Sequence, residues 1–394
     1  MRVLMVSDVY FPRINGVSTA IQTYRETLAA HGIEVSLVAP DYGDGCRAAW
    51  IRRVPARPVP RDPEDRLLRW RALNDAVRAA VALGCDLVHV QTPFLAHYAA
   101  HGAARRAGLP LIATYHTLFE EYLQHYAPFV PAGWLRHAAR RFSRTQCNAL
   151  DAVIVPSQAI HRRLADYGVR APLHVLPTGI PLRRFADGEC EERDAFRARH
   201  GIAATRPVAL YVGRVAHEKN LEFLLDAAAL ARESLPELLL LIAGEGPALA
   251  ALRASAQARG LGGSVQFLGY LDRQRELPAC YAAADAFVFA SRTETQGLVL
   301  LEAMAAGLPV VALAAMGTTD ILGARRGALV PDDNPSAFAL DLVRLLRNGE
   351  LHRRLAAEAR RYAGEWSDET LAGRLAALYR GIVERHGERR GARG

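Results

Sequence analysis

Ser291-Arg292-Thr293-Glu294-Thr295-Gln296-Gly297-Leu298-Val299-Leu300-Leu301-Glu302-Ala303-Met304 is the stretch from which the fold is read. The apolar run before it, 286–290, has the composition of a buried parallel strand. Gly307-Leu308-Pro309 stops a helix that starts at about Gly297, and Val310-Val311-Ala312 begins another strand. Glu294 therefore lies on a loop at the carboxyl end of a strand, where open α/β sheets bind ligands. The N–H groups at the helix mouth, around Gly297 and Leu298, suit a phosphate. Glu302 follows Glu294 by eight positions, roughly one turn into the helix. Two carboxylates around an anion site fit a ligand with hydroxyls at both ends and phosphate between them, as in a nucleotide sugar. Taken alone, the pair also fits a surface acid followed by a first-turn glutamate that favours the helix dipole.

Working outward, 394 residues suit two domains of about 200 each. The composition, 51% hydrophobic and 23% charged, is that of a globular chain. No apolar run reaches the ~18 residues of a membrane-spanning helix. Residues 2–7 already have strand character, so no secretory signal is expected ahead of the fold. Cys46, Cys85, Cys147, Cys190 and Cys280 are scattered and lack CxxC spacing. That pattern argues for a reducing cytoplasm and against a structural zinc or a disulfide framework. The net charge of +8 admits nucleic acid, an anionic membrane or anionic small ligands. No nucleic-acid motif is present. Among the 49 basic residues there is a single lysine, Lys219.

Strand and helix signals alternate through residues 1–175 and again from Val208 onward, which predicts two parallel, doubly wound sheets. Expected boundaries are an N-terminal domain over 1–177, a linker region over 178–206, where Pro, Gly and mixed charge break the rhythm, and a C-terminal domain over 207–365. A C-terminal helix over 366–394 can cross back to the first domain. The segment 41–63 reads as a Gly/Pro-rich charged connection leading to a helix that ends near Leu83.

Three further features bear on chemistry. Asn15-Gly16, at the mouth of the first helix, permits close backbone approach, or forms an ordinary tight turn. His116 ends a strand on the binding side; it can meet a ligand hydroxyl and titrate near neutrality, or be structural. Arg214 and Lys219 follow the end of a strand five positions apart, and could clamp a diphosphate as a fork and a point charge.

Residues 134–149 read as a two-faced helix. Leu135, Ala138, Phe142 and Ala149 fall on one face; Arg136, Arg140 and Arg144 fall on another with Arg141 beside them. Trp134 and, upstream, Phe119, Tyr122, Tyr126 and Phe129 supply aromatics. A basic, amphipathic, aromatic segment is the signature of a helix lying on an anionic bilayer. A solvated face of a packed helix is the alternative.

Gly213-Arg214, Glu218-Lys219-Asn220, Gly244-Glu245-Gly246-Pro247 and the pair Glu294 and Glu302 resemble glycosyltransferase family 4, and the likeness extends over nearly the whole chain. The resemblance implies a GT-B fold: α/β, two Rossmann-like domains with parallel sheets facing a central cleft. It implies a retaining hexosyltransferase whose C-terminal domain binds a UDP- or GDP-sugar. Arg214 and Lys219 would hold the diphosphate, Glu302 the ribose and Glu294 the transferred hexose, with amides near Gly297 and Leu298 assisting. Gly16 would approach the phosphate and His116 the sugar. With no Asp-x-Asp motif, metal independence is expected, and no cofactor beyond the donor substrate.

Tyr115-His116-Thr117-Leu118-Phe119-Glu120-Glu121-Tyr122 and Glu294-Thr295-Gln296-Gly297 are similar to the lipid-glycosylating branch, which includes diacylglycerol glucosyltransferases and phosphatidylinositol-type mannosyltransferases. That implies a lipid acceptor and a cytoplasmic protein, peripheral on the inner face of the membrane. A soluble-acceptor transferase, an epimerase, or a non-catalytic nucleotide-sugar binder are the alternatives. A phosphorylase would need its pyridoxal phosphate on Lys219, the lysine of the diphosphate clamp.

Overall fold

A computed structural model describes residues 1–13, 15–43, 48–59, 62–116, 132–186, 190–273 and 275–392. The chain divides into two compact units, Met1–Gly179 with Asp368–Gly394, and Ile180–Ser367.

The first unit holds β1 (Arg2–Val6), α1 (Gly16–Leu28), β2 (Glu34–Pro40), β3 (Ile51–Val54), β4 (Ala56–Val59), β5 (Asp62–Leu68), α2 (Trp70–Ala82), β6 (Leu87–Val90), α3 (Leu95–Ala107), β7 (Leu111–Thr114), α4 (Ala132–Cys147), β8 (Ala152–Val155), α5 (Gln158–Asp166) and β9 (Leu173–Val175). Seven strands pair in the order β3-β2-β1-β6-β7-β8-β9, and every pairing is parallel. Central strands are buried along their length because helices cover both faces. The segment 41–63 differs from the expected connection. Its Ile51–Val54 adds β3 to the sheet, and β4 pairs with β5 as an antiparallel hairpin, so α2 begins only at Trp70. Pro55 separates β3 from β4 and Pro58 lies within β4, so these short strands carry little periodicity to read.

The C-terminal helix, Asp368–Gly391, belongs to the first unit. Its Leu375, Ala376 and Tyr379 join Ile21, Tyr24 and Leu28 of α1 in one core. Tyr379 also bonds His89 Nδ1 at 2.7 Å, and His89 Nε2 reaches Thr114 Oγ1 at 2.8 Å.

The second unit holds α6 (Leu182–Ala186), α7 (Cys190–Arg199), β10 (Val208–Val212), α8 (Leu221–Ser234), β11 (Leu239–Ala243), α9 (Leu249–Ala258), β12 (Val265–Gly269), α10 (Glu276–Ala282), β13 (Ala286–Phe289), α11 (Leu298–Ala305), β14 (Val310–Ala312), α12 (Thr318–Leu322), β15 (Ala328–Leu329), α13 (Pro335–Arg347) and α14 (Gly349–Gly364). Its six strands run in the order β12-β11-β10-β13-β14-β15, again all parallel. Strand order reverses beside β10 and β13, so the loops after those two strands flank the switch point where such sheets bind ligands. Buried side chains such as Leu241, Phe287 and Phe289 each contribute about 1.5–3 kcal/mol.

The stretch 178–206 is not a free linker. From Ile180 it belongs to the second unit, where Phe185, Phe196 and Ile202 enter the core. Arg197 is buried and donates to the carbonyls of Ala203, Ala204, Arg206 and Ala283 and to Asp285. Its charge and Gly/Pro content read as a linker because those hydrogen bonds are invisible in composition.

Candidate active site

In the second unit the loops after β10 and β13 are stitched together. Asn220, held at φ 57°, donates its side-chain amide to the Ala290 carbonyl at 3.1 Å. Thr293 Oγ1 donates to the Glu218 carbonyl at 3.4 Å. Between these contacts Lys219 Nζ donates to Glu294 Oε1 at 2.6 Å, with both side chains about one-fifth exposed. The Glu294 carbonyl in turn accepts from Gly317 N–H at 2.8 Å. The two residues singled out from sequence as phosphate clamp and sugar carboxylate thus form one ion pair.

The neighbouring loop explains its glycines. Gly213 N–H donates to the Ala243 carbonyl and Val215 N–H to the Glu245 carbonyl, so the loops after β10 and β11 run side by side. Gly244 has φ 139°, and a Cβ there would stand 1.9 Å from the Gly213 oxygen; no other residue fits. Half-buried Arg214 follows on this loop, its carbonyl held by the buried Tyr211 hydroxyl at 3.1 Å.

Gly297 caps α11 at φ 93°, and its absent Cβ would meet Thr318 Cγ2 at 2.9 Å. Leu298 is the first helical residue, and N–H groups in a first turn have no partner within their own helix. Glu302 lies in the same helix, 2% exposed. Its Oε1 accepts from Arg273 Nη2 at 2.6 Å and its Oε2 from the Tyr281 hydroxyl at 3.0 Å. Sequence reading did not single out Arg273 or Tyr281. Arg273 follows β12 closely, so the strand-end rule that found Arg214 would also have found it; Tyr281 lies in the last turn of α10, and nothing in its pattern marks it.

At the carboxyl edge of the first sheet His116 and Gln91 form an uncharged pair. His116 Nε2 pairs with Gln91 Oε1 at 3.0 Å, and burial pulls the imidazole down to about 4. It is therefore uncharged at neutral pH, contrary to the expectation that it titrates there. Gln91, 1% exposed, follows β6 directly and was not singled out from sequence. A pocket at this edge is lined by Gln91, Thr92, His97, Tyr115, His116 and Gln146, with an apolar wall from Val90, Leu150 and Val153. Gly16 opens α1 behind the Asn15 cap, whose side chain accepts from Ser18 N–H at 2.8 Å. A Cβ at Gly16 would meet no described atom within 4 Å.

The two-faced reading of α4 is half right. Arg136, Arg140, Arg141 and Arg144 are all exposed, and Trp134 is 76% exposed. The buried face matches the expected one only in part, with Leu135 and Phe142 half-buried. Ala139, Ser143, Gln146 and Cys147 face inward while Ala138 and, just beyond the helix, Ala149 are exposed. Ser143 is held by the Tyr115 hydroxyl and Gln146 donates to the Pro93 carbonyl, so polar contacts override hydrophobic periodicity. Arg140 also lies over the Tyr167 ring at 5.5 Å. The upstream aromatics Phe119, Tyr122, Tyr126 and Phe129 lie outside the described residues. Among the described residues no helix is long and apolar enough to cross a membrane, and no three His, Cys, Asp or Glu are grouped as metal ligands.

Residues 192–362 match the family described as glycosyl transferases group 1, and residues 14–184 match glycosyltransferase family 4. The chain is 33% identical to alpha-monoglucosyldiacylglycerol synthase of Streptococcus pneumoniae, over 79% of this chain and 71% of that protein. It is 30% identical to a GDP-mannose-dependent alpha-mannosyltransferase of Mycobacterium tuberculosis, over 84% of each. Sucrose-phosphate synthase of Thermosynechococcus elongatus superposes with a TM-score of 0.79 at 24% identity, covering 98% of this chain and 99% of that one. Fold and site together define a glycosyltransferase of the GT-B class. The chain belongs to glycosyltransferase family 4.

Proposed function

We propose that this protein moves a hexose, glucose or mannose, from a UDP- or GDP-sugar to a lipid acceptor such as diacylglycerol or a glycolipid, with retention at the anomeric carbon and without a metal. The observation that carries the reading is the Lys219–Glu294 pair beside the cap of α11, with Glu302 one turn further on. The arriving diphosphate takes over Lys219 and Arg214, and the hexose hydroxyls take over Glu294. Glu302 receives the ribose. As the bond to the anomeric carbon breaks, negative charge grows on the departing phosphate, and fixed cations and amides stabilise it where it forms. Attack from the same face lets that phosphate take the acceptor proton, so no side chain is assigned as general base. The family resemblance also assigns Gly16 to the phosphate and His116 to the sugar.

Lipid acceptance is supported by the relatives and by the exposed arginine face of α4 with Trp134. On this reading the protein works peripherally, on the anionic inner face of the cytoplasmic membrane. Each of four arginines near such a surface is worth about 1 kcal/mol. The test is transfer from labelled UDP-glucose and GDP-mannose, with and without anionic vesicles containing diacylglycerol. Label should enter the organic phase from one donor, and replacing the four arginines by serine should release the protein from the vesicles. Label that stays water-soluble while donor is consumed would defeat the lipid reading.

A further inference from the structure

Glu302 is buried in a way that an ordinary helical glutamate is not. It is 2% exposed, and each of its oxygens already accepts one bond, from Arg273 at 2.6 Å and from Tyr281 at 3.0 Å. Those donors come from two different elements, the loop after β12 and helix α10. An ionised carboxylate has about four acceptor positions, so two remain. A buried carboxylate without a cation is costly and tends to protonate; the Arg273 guanidinium is the charge that offsets this. Burial holds the Tyr281 phenol well above its usual range, so it stays a donor. Arg197 shows the other kind of buried arginine in this unit, spread over four carbonyls and Asp285 as a structural tie. Arg273 is instead directed at a single carboxylate in the candidate site.

We propose that Arg273 is a positioning residue for donor recognition: with Tyr281 it fixes the plane and charge of the Glu302 carboxylate so that its remaining acceptor positions meet the two ribose hydroxyls. This rests on the reading above that Glu302 serves the ribose. The ribose preference of the site is then set jointly by Glu302, Arg273 and Tyr281.

The test measures binding of UDP and GDP, and of their 2′,3′-dideoxy counterparts, to the full chain by calorimetry. Wild type should favour the tighter-binding ribonucleotide over its dideoxy form by about 10- to 100-fold, the range of one or two hydrogen bonds to a charged group. Arg273→Ala should bring that ratio to within about threefold of unity, whereas Arg273→Lys, which keeps the charge and loses the fork, should retain an intermediate ratio. Tyr281→Phe keeps the packing and removes one donor. It should lower the ratio by a smaller factor, and it carries the test if Arg273→Ala does not fold. A ratio unchanged in folded Arg273→Ala, or in both Arg273→Lys and Tyr281→Phe, overturns the proposal. Glu302→Gln reports on the reading beneath it. If that variant keeps the full ribose preference, Glu302 is not the ribose partner and the donor assignment itself fails. If Glu302→Gln loses the preference while Arg273→Ala keeps it, only the positioning role fails.

Discussion

The two carboxyl edges of this molecule solve different problems with different chemistry. In the second unit Lys219 faces Glu294 and Arg273 faces Glu302, each pair at 2.6 Å. In the first unit the corresponding edge holds a neutral His116 on Gln91, and Asp8 wrapped by Thr92 and the start of α3. Both edges are built on parallel sheets with strand-end loops, so topology does not distinguish them. Charge does. Leaving-group charge in glycosyl transfer develops on phosphate, and a set of preorganised ion pairs belongs where that charge appears. The uncharged His116–Gln91 pair and the partly apolar pocket beside it suit hydroxyl groups and hydrocarbon instead.

The sharpest way to break this contrast is Glu294→Gln. The amide keeps the shape of the side chain and removes its charge. Transfer should fall by about 10²–10³-fold, the scale of losing one preorganised electrostatic contact. The same change releases Lys219 from its ion pair. Binding of the bare nucleoside diphosphate should then tighten by about two- to fivefold, the worth of a partly exposed pair. Loss of turnover together with tighter product binding is the expected signature. A variant that weakens nucleoside diphosphate binding would show that the pair helps bind the diphosphate and does not compete for it.

The extent to which sequence showed this site follows from the range of each interaction. Glu294, Arg214 and Lys219 stand on strand-end loops, and Gly297 and Glu302 cap and follow into the helix that one of them enters, so a rule linking strand end to ligand edge places them without coordinates. Which residues of other elements pair with them was out of reach. Arg273 and Glu302 are 29 positions apart, and Gln91 and His116 are 25 apart. Nothing in periodicity joins them. The same limit explains α4, where Ser143 and Gln146 face inward because Tyr115 and Pro93 meet them. It also explains 41–63, where strands too short for a periodic signal are held by β2 and by each other.

A second, smaller effect tests the neutral edge. With His116 drawn down to about 4 by burial, its ring stays uncharged as pH falls from 8 to 5.5, roughly the window in which an ordinary histidine changes state. The pH–rate profile should carry no limb from His116 in that window. Gln91→Glu sets a carboxylate against the ring, favours the imidazolium, and should introduce a limb near neutrality. A wild-type limb near 6.5 that disappears in His116→Asn would show that the edge is charged after all.

The smallest effect concerns Asp8. Its Oδ2 accepts from Thr92 Oγ1 at 2.7 Å, and both oxygens accept from Ala96 N–H in the first turn of α3, at 3.1 and 3.2 Å. Burial nevertheless outweighs these bonds and lifts the carboxyl from 3.8 to about 6. The sign follows from linkage. A group whose folded value lies above its unfolded value makes the folded state hold its proton more tightly. Its contribution to stability is therefore full below pH 3.8 and is lost as pH rises through about 6. Asp8→Asn cannot titrate, so this slope should vanish. Thermal midpoints of wild type and variant, compared at pH 4.5 and pH 7, should show the variant gaining a few degrees (~2–4 °C) on wild type at the higher pH. If the difference between the two proteins is the same at both pH values, Asp8 is already ionised throughout. The first edge would then keep its negative charge even at pH 4.5, and the contrast with the second would narrow to one of pairing.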